Sequence, residues 1–132
     1  MATHRRWNPE GIAPPASRYS HAVLTEGAGR WLHLSGQLGL RPDGSLPDGV
    51  AAQLDQAFAN IGTALADAGM GLADLVKLTV YLTDASPEAV TAYRTRRDAW
   101  LGDAPAPAAT LLIVAGLAAP QFLVEIDAIA AA

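Results

Sequence analysis

The chain has 132 residues, no cysteine, 51% apolar and only 17% charged residues, and nine basic against thirteen acidic side chains for a net charge of −4. That length is one domain with a core of its own, and the missing thiols exclude disulfides, thiolate nucleophiles and cysteine-ligated zinc. With a pI near 5.1 and bases scattered except at Arg94, Arg96 and Arg97, no basic stripe exists for neutralising phosphates, so no nucleic-acid partner is expected.

A mean hydropathy of +0.19 is high for a small monomer, so part of the surface is expected to face another subunit. No stretch reaches the roughly 18 uninterrupted apolar residues of a membrane span. The basic pair Arg5-Arg6 is followed by polar residues and proline rather than by the apolar core of a signal peptide. A soluble, cytoplasmic protein is expected.

Residues 1–17 hold three prolines and no sustained period, and are expected to form a surface arm ahead of a single domain over 18–132. Tyr19 to Thr25 is strand-like, Glu26 to Arg30 is a glycine-rich turn, and Trp31, His33 and Ser35 alternate with Leu32 and Leu34, which predicts a β-hairpin. Pro42-Asp43-Gly44-Ser45 signals a further turn, with a short strand possible nearby. From Val50 to Ala68, residues Leu54, Phe58, Ile61, Leu65 and Ala68 recur at helical spacing, and Gly69 sits where a left-handed cap belongs. Over Leu75 to Thr83, Val76, Leu78, Val80 and Leu82 alternate with Lys77, Thr79, Tyr81 and Thr83, predicting a strand with one buried face. Ser86-Pro87-Glu88 reads as an N-cap, a first-turn proline and a first-turn acid. The helix they start is expected to bury Val90, Tyr93, the Arg97 stem and Trp100 and to stop at Gly102. Two adjacent strands close the chain, an apolar run after Pro107 and a second run carrying Glu125. The order predicts one mixed sheet with both helices on a single face, leaving the other face to an oligomer.

Glu125 stands alone among hydrophobes. A carboxylate on an apolar strand is costly to bury unless it is paired, hydrogen-bonded or open to a cavity. It shares its face with Leu123, Asp127 and Ile129, while Phe122, Val124, Ile126 and Ala128 point the other way. Two readings are open here: a rim carboxylate at an exposed edge, or a group at a subunit cleft that acts as general base or binds an ammonium. Ser35-Gly36-Gln37 offers a hydroxyl, a closely approachable backbone and an amide, or is simply a bulge at a strand end. Tyr19 is a core aromatic or a hydroxyl donor, and Thr110 offers a hydroxyl or backbone N–H at a strand's mouth. Arg94, Arg96 and Arg97 read as solvated or salt-bridged. His4, His21 and His33 are not at ligand spacing, so no metal site is expected. Phosphate-binding loops, dinucleotide fingerprints and nucleophile elbows are absent.

Taken together, Tyr19-Ser20, Leu34-Ser35-Gly36-Gln37, Ala68-Gly69-Met70, Asp74 to Tyr81, the Pro107-Ala108 step and Val124 to Ala130 resemble the Rid family, the YjgF-type reactive-intermediate deaminases. The resemblance covers Tyr19 to Ala130. It implies a chorismate-mutase-like α+β fold with two helices on one face of a mixed sheet, assembled as a homotrimer with small-molecule clefts between subunits. It also implies hydrolysis, without cofactor, of imine and enamine products of pyridoxal-phosphate enzymes, such as 2-aminoacrylate, to keto acids and ammonia. Tyr19, Ser35, Gly36, Gln37, Thr110 and Glu125 match the family's site positions, and Glu125 aligns with the carboxylate that positions water.

The family's central arginine, directly after the Pro-Ala step, is replaced by Ala109, a register set by aligning Leu117 with the family's leucine. The resemblance also places His21 where a glutamine is common and Tyr93 where some members carry an asparagine. An alanine cannot hold a carboxylate, a contact contributing about 1.5–3 kcal/mol per charged hydrogen bond. Poor activity on 2-imino acids and a cleft less cationic and more aromatic are therefore expected. Three functions follow: a hydrolase or deaminase in which Glu125 orients water and the Thr110 N–H polarises the substrate, a catalytically inactive trimeric binding or regulatory protein, or the ribonuclease activity attributed to some relatives, against which the acidic pI argues.

Overall fold

In a computed structural model, which describes residues 2–132, the chain builds a four-stranded sheet and a two-stranded ribbon with two helices. The main sheet has the order β3 (Trp31–Leu38), β6 (Val124–Ala131), β4 (Leu75–Leu82), β5 (Ala108–Ile113). Its β3–β6 and β6–β4 pairs are antiparallel and β4–β5 is parallel. Helices α1 (Val50–Asp67) and α2 (Pro87–Leu101) supply the crossovers. The mixed α+β sheet expected from the element order is therefore present.

Strand alternation sorts the side chains. Leu75, Leu78, Val80 and Leu82 of β4 and Val124, Ile126, Ala128 and Ala130 of β6 are buried in one core with Leu54, Phe58, Ile61 and Leu65 of α1. Each of those large side chains contributes about 1.5–3 kcal/mol by leaving water. Lys77, Thr79 and Tyr81 of β4 and Glu125, Asp127 and Ile129 of β6 alternate with them and lie part-exposed on the opposite face. A register shift between Leu75 and Lys77 puts Leu75, rather than Val76, in the core.

The helix ends carry the chemistry expected of them. Gly69, at φ 70°, follows α1, and the bonds Met70 N–H to Leu65 O (2.8 Å) and Gly69 N–H to Ala66 O (3.0 Å) form a Schellman cap. Ser86 Oγ accepts from Ala89 N–H at 3.1 Å at the start of α2. Further along, α2 buries Ala89, Tyr93, Arg97 and Leu101, while Val90 and Trp100 are half-buried. Trp100 stacks on Phe58 at 4.6 Å between ring centroids.

Four expectations are corrected. Part of the N-terminal arm is strand β1 (Thr3–Trp7), paired antiparallel with β2 (Ala22–Glu26). Consequently β2 and β3 are no hairpin: β2 pairs with β1 and β3 with β6. The two C-terminal strands are not neighbours, because β4 runs between them. No strand follows the Pro42 turn among the described residues.

Candidate functional site

Glu125 owes its position to its neighbours. With Val124 and Ile126 locked against the helices, it can only face the open side of the sheet, opposite Tyr81 of β4 and Leu38 of β3. Between Leu34 and Gln37 the β3–β6 register slips, so Ser35 and Gly36 form a bulge beside it. A Cβ built on Gly36 would lie 2.7 Å from Glu125 Cδ, so only glycine leaves room for the carboxylate in this position. None of the ion pairs among the described residues involves Glu125. The Gln37 amide spans the bulge, Nε2 donating to Ser35 O at 3.0 Å, and Ser35 is exposed.

Two polar residues of α1 fix this corner. Asn60 Nδ2 donates to Leu38 O (3.1 Å) and Leu40 O (2.9 Å), tying down the end of β3. Gln53, only 2% exposed, donates to Pro47 O and Gln121 O at 3.2 Å each and accepts from Leu123 N–H at 2.9 Å, two residues before Glu125. Both lie to one side of the apolar stripe of Leu54, Phe58, Ile61 and Leu65, in line with each other on the flank of α1.

Tyr81, which sequence reasoning left unmarked as a site residue, completes the open-face cluster. Its hydroxyl donates to Asp127 Oδ2 at 3.3 Å, and its pKa is raised, first by the Asp127 charge, then by burial, with Glu125 adding to the rise. The clue was available: residues at alternate positions of β4 share a face with alternate positions of β6.

Thr110 also lies on the open face, exposed at the edge strand, where Oγ1 accepts from Lys77 Nζ at 2.8 Å. Its neighbour Ala109 points to the helix side and lines a cavity of about 80 Å³ with Ser17, Tyr19, Tyr93, Arg94, Arg97 and Leu111. The segment carrying Tyr19 is fastened there by Arg18, whose Nη2 donates to Gly102 O (2.6 Å) and Ala104 O (2.9 Å) at the end of α2, and by Ser20 Oγ donating to Ala106 O at 2.8 Å. Tyr19 OH accepts from Ala16 N–H at 3.4 Å, and its ring meets His21 edge-on.

Two arginines of α2 line this cavity. Arg97 is 3% exposed and is salt-bridged, Nε donating to Asp98 Oδ1 (3.0 Å), while Nη1 donates to Ser17 Oγ (2.8 Å) and the guanidinium lies 5.2 Å from the Tyr93 ring centroid. Burial pushes the Tyr93 pKa up, opposed by the Arg97 charge. Arg94 is exposed yet lines the same cavity, whereas Arg96 pairs at the surface with Asp55 at 3.3 Å.

The proposed residues thus fall into two sets on opposite faces of one sheet: Ser35, Gly36, Gln37 and Glu125 with Thr110 further along the open face, and Tyr19, Tyr93 and Ala109 on the helix side. Among the described residues no group of three or more His, Cys, Asp or Glu is placed to hold a metal, and no helix is long and apolar enough to cross a membrane.

The fold and the bulge-and-carboxylate corner define a YjgF-type α+β protein of the Rid class. Residues 11–132 match the family model described as endoribonuclease L-PSP, and the chain belongs to that family. It is 35% identical to a Yersinia pestis protein of unknown function of the conserved Rid family, with a TM-score of 0.89 and 98% of each chain covered. A RidA from the Antarctic bacterium Psychrobacter is 31% identical, with a TM-score of 0.72 over 97% of this chain and 99% of that one. Among curated relatives, a Bos taurus 2-iminobutanoate/2-iminopropanoate deaminase is 45% identical over 78 residues, 58% of this chain and 52% of that protein. The chain spans about half the length of the curated relatives it matches first.

Proposed function

We propose that this chain is a cofactor-independent hydrolase of the Rid type, acting on an imine, enamine or related small metabolite. The observation that carries the reading is the Glu125 carboxylate, in no ion pair among the described residues and seated in the gap left by Gly36. A carboxylate so placed can orient a water molecule and take its proton. Water adds to the C=N carbon, forming the C–O bond while nitrogen takes up one proton, and the C–N bond of the resulting carbinolamine then breaks as its hydroxyl proton passes to nitrogen, releasing ammonia and leaving a carbonyl. Nothing is oxidised or reduced. The Thr110 N–H, at the edge strand, is assigned to polarise the substrate.

The separation of the two residue sets across the sheet supports a cleft completed by another copy, one contributing the Glu125 corner and its neighbour the Ala109 cavity. The homotrimer implied by the family resemblance supplies such a contact, and exposed Leu112 and Ile113 on β5 and Trp31 on β3 supply apolar rims for it. Cytoplasmic location is proposed with it.

Ala109 favours a second reading. Without a charge at that position the usual 2-imino acids lose their grip, and a trimeric binding or regulatory protein that does no chemistry would keep the same cleft. Ammonia release from freshly generated 2-aminoacrylate and related imines, by the native chain and by Ala109→Arg, separates the two. Turnover by the native chain supports the hydrolase. Ligand-induced stabilisation without turnover, even in the variant, supports the binder.

A further inference from the structure

The N-terminal wall of the Ala109 cavity is supported unevenly. From Ser17 to Ser20 it is fastened to the rest of the fold: Arg97 Nη1 donates to Ser17 Oγ, Arg18 donates to two carbonyls at the end of α2, and Ser20 donates through Oγ to Ala106 O and through its N–H to Pro107 O at 3.0 Å. Residues 9–16, which carry Ala16 into the cavity lining, have no comparable support. They form neither helix nor strand, none of them belongs to the hydrophobic core, and Glu10 to Pro14 are exposed. A segment with so few buried contacts lies at the low end of local stability.

What holds this segment down runs through His21. Its backbone N–H donates to Asn8 Oδ1 at 2.9 Å, closing the base of the loop, and its Nε2 donates to Ala13 O at 2.7 Å. A carbonyl only accepts, so Nε2 carries the hydrogen. The same ring meets Tyr19 with 5.4 Å between centroids, and the Tyr19 hydroxyl accepts from Ala16 N–H. One imidazole therefore ties both flanks of Pro14-Pro15 to the anchored part of the wall. The two prolines fix φ and stiffen the piece between those ties. Gly11, at φ 88° with open space where a Cβ would stand, is a joint about which the piece can turn.

We propose that residues 9–16 are a strap that swings on and off the mouth of the Ala109 cavity, with the His21 imidazole as its latch. The latch works as a hydrogen-bond donor, so glutamine at position 21 can replace it and alanine cannot. As a gate for substrate the strap rests on the reading of this cavity as part of the cleft. Its motion does not, and the test follows the motion.

Tyr93, buried and lining the same cavity, is the reporter, and Tyr81 on the opposite face of the sheet is the internal control. The full chain is treated with tetranitromethane and nitration is mapped by mass spectrometry. His21→Ala should nitrate Tyr93 at least about 5-fold faster than wild type at an unchanged Tyr81 rate, as loss of one hydrogen bond allows. Cleavage between Glu10 and Gly11 by a glutamate-specific protease should accelerate in parallel. His21→Gln should keep both wild-type rates. Asn8→Ala, an exposed change that opens the base of the loop without threatening the fold, should raise both rates and carries the test if His21→Ala does not fold. Equal Tyr93 rates in wild type and the loosened variants, acceleration of Tyr81 to the same extent, or failure of His21→Gln to restore the wild-type rates would overturn the proposal. None of these readouts uses turnover, so failure of the hydrolase reading and failure of the strap are distinguishable.

Discussion

Glu125 occupies the space that a side chain on Gly36 would need. The two residues lie on neighbouring strands, and the β3 bulge is what brings the glycine backbone beneath the carboxylate. Because the obstructing atoms belong to the mobile end of a glutamate, Gly36→Ala should leave the fold within about 1 kcal/mol of the native stability while pushing the carboxylate aside. The expected outcome is a near-native melting temperature with at least 10-fold lower turnover. Large unfolding, or full activity, would each show that the pair does not work this way.

Gln53 has the opposite signature. It is buried, makes three hydrogen bonds to the backbone, and fixes Leu123 two residues ahead of Glu125. Gln53→Ala leaves the Leu123 N–H and two carbonyls without their partner, which should cost about 1–3 kcal/mol in denaturant unfolding. Any loss of activity should be recovered when the variant is assayed well below its melting temperature, since a structural residue moves stability first.

Alkaline titration separates the tyrosines. Tyr81 is held protonated chiefly by the Asp127 charge and Tyr93 chiefly by burial, so both should ionise above the ordinary value of about 10. Both shifts are upward, so the folded chain retains protons that the unfolded chain gives up. Stability should fall as pH rises past about 10 and through the folded values, and should be insensitive to these groups below that. Phenolate absorbance is the readout, and Asp127→Asn should bring one tyrosine back towards the ordinary value. Tyr81 and Tyr93 titrating at about 10 would contradict both assignments.

Much of this was legible because local chemistry and burial agree. The spacing of Leu54, Phe58, Ile61 and Leu65, the left-handed Gly69 and the Ser86 cap define both helices without reference to anything distant. What stayed hidden depended on partners far along the chain. Strand β1 carries little apolar signal because two of its three half-buried positions are His4 and Arg6, held by Thr25 Oγ1, Ala131 O and Ala73 O, and only the third, Trp7, is apolar. The glycine-rich turn before Trp31 looked like a hairpin, yet β3 finds its partner in β6, on the far side of the chain. Ala109 announced a gap, but only Ser17 and Asp98 explain why a helix arginine turns inward to line it. Glu125 could be picked out as a carboxylate needing a cause and Asp127 placed on its face by strand alternation, while Tyr81 opposite Glu125 is fixed by the β4–β6 register.

The measurement that bears most directly on the central claim is ammonia release from a panel of freshly generated imines and enamines by wild-type protein and by Glu125→Gln. The substitution keeps the size of the side chain and removes its capacity to take a proton, so turnover should fall by about 10²–10⁴-fold with the melting temperature and ligand binding retained. Turnover in the variant equal to that of the wild type would show that Glu125 does not serve the chemistry.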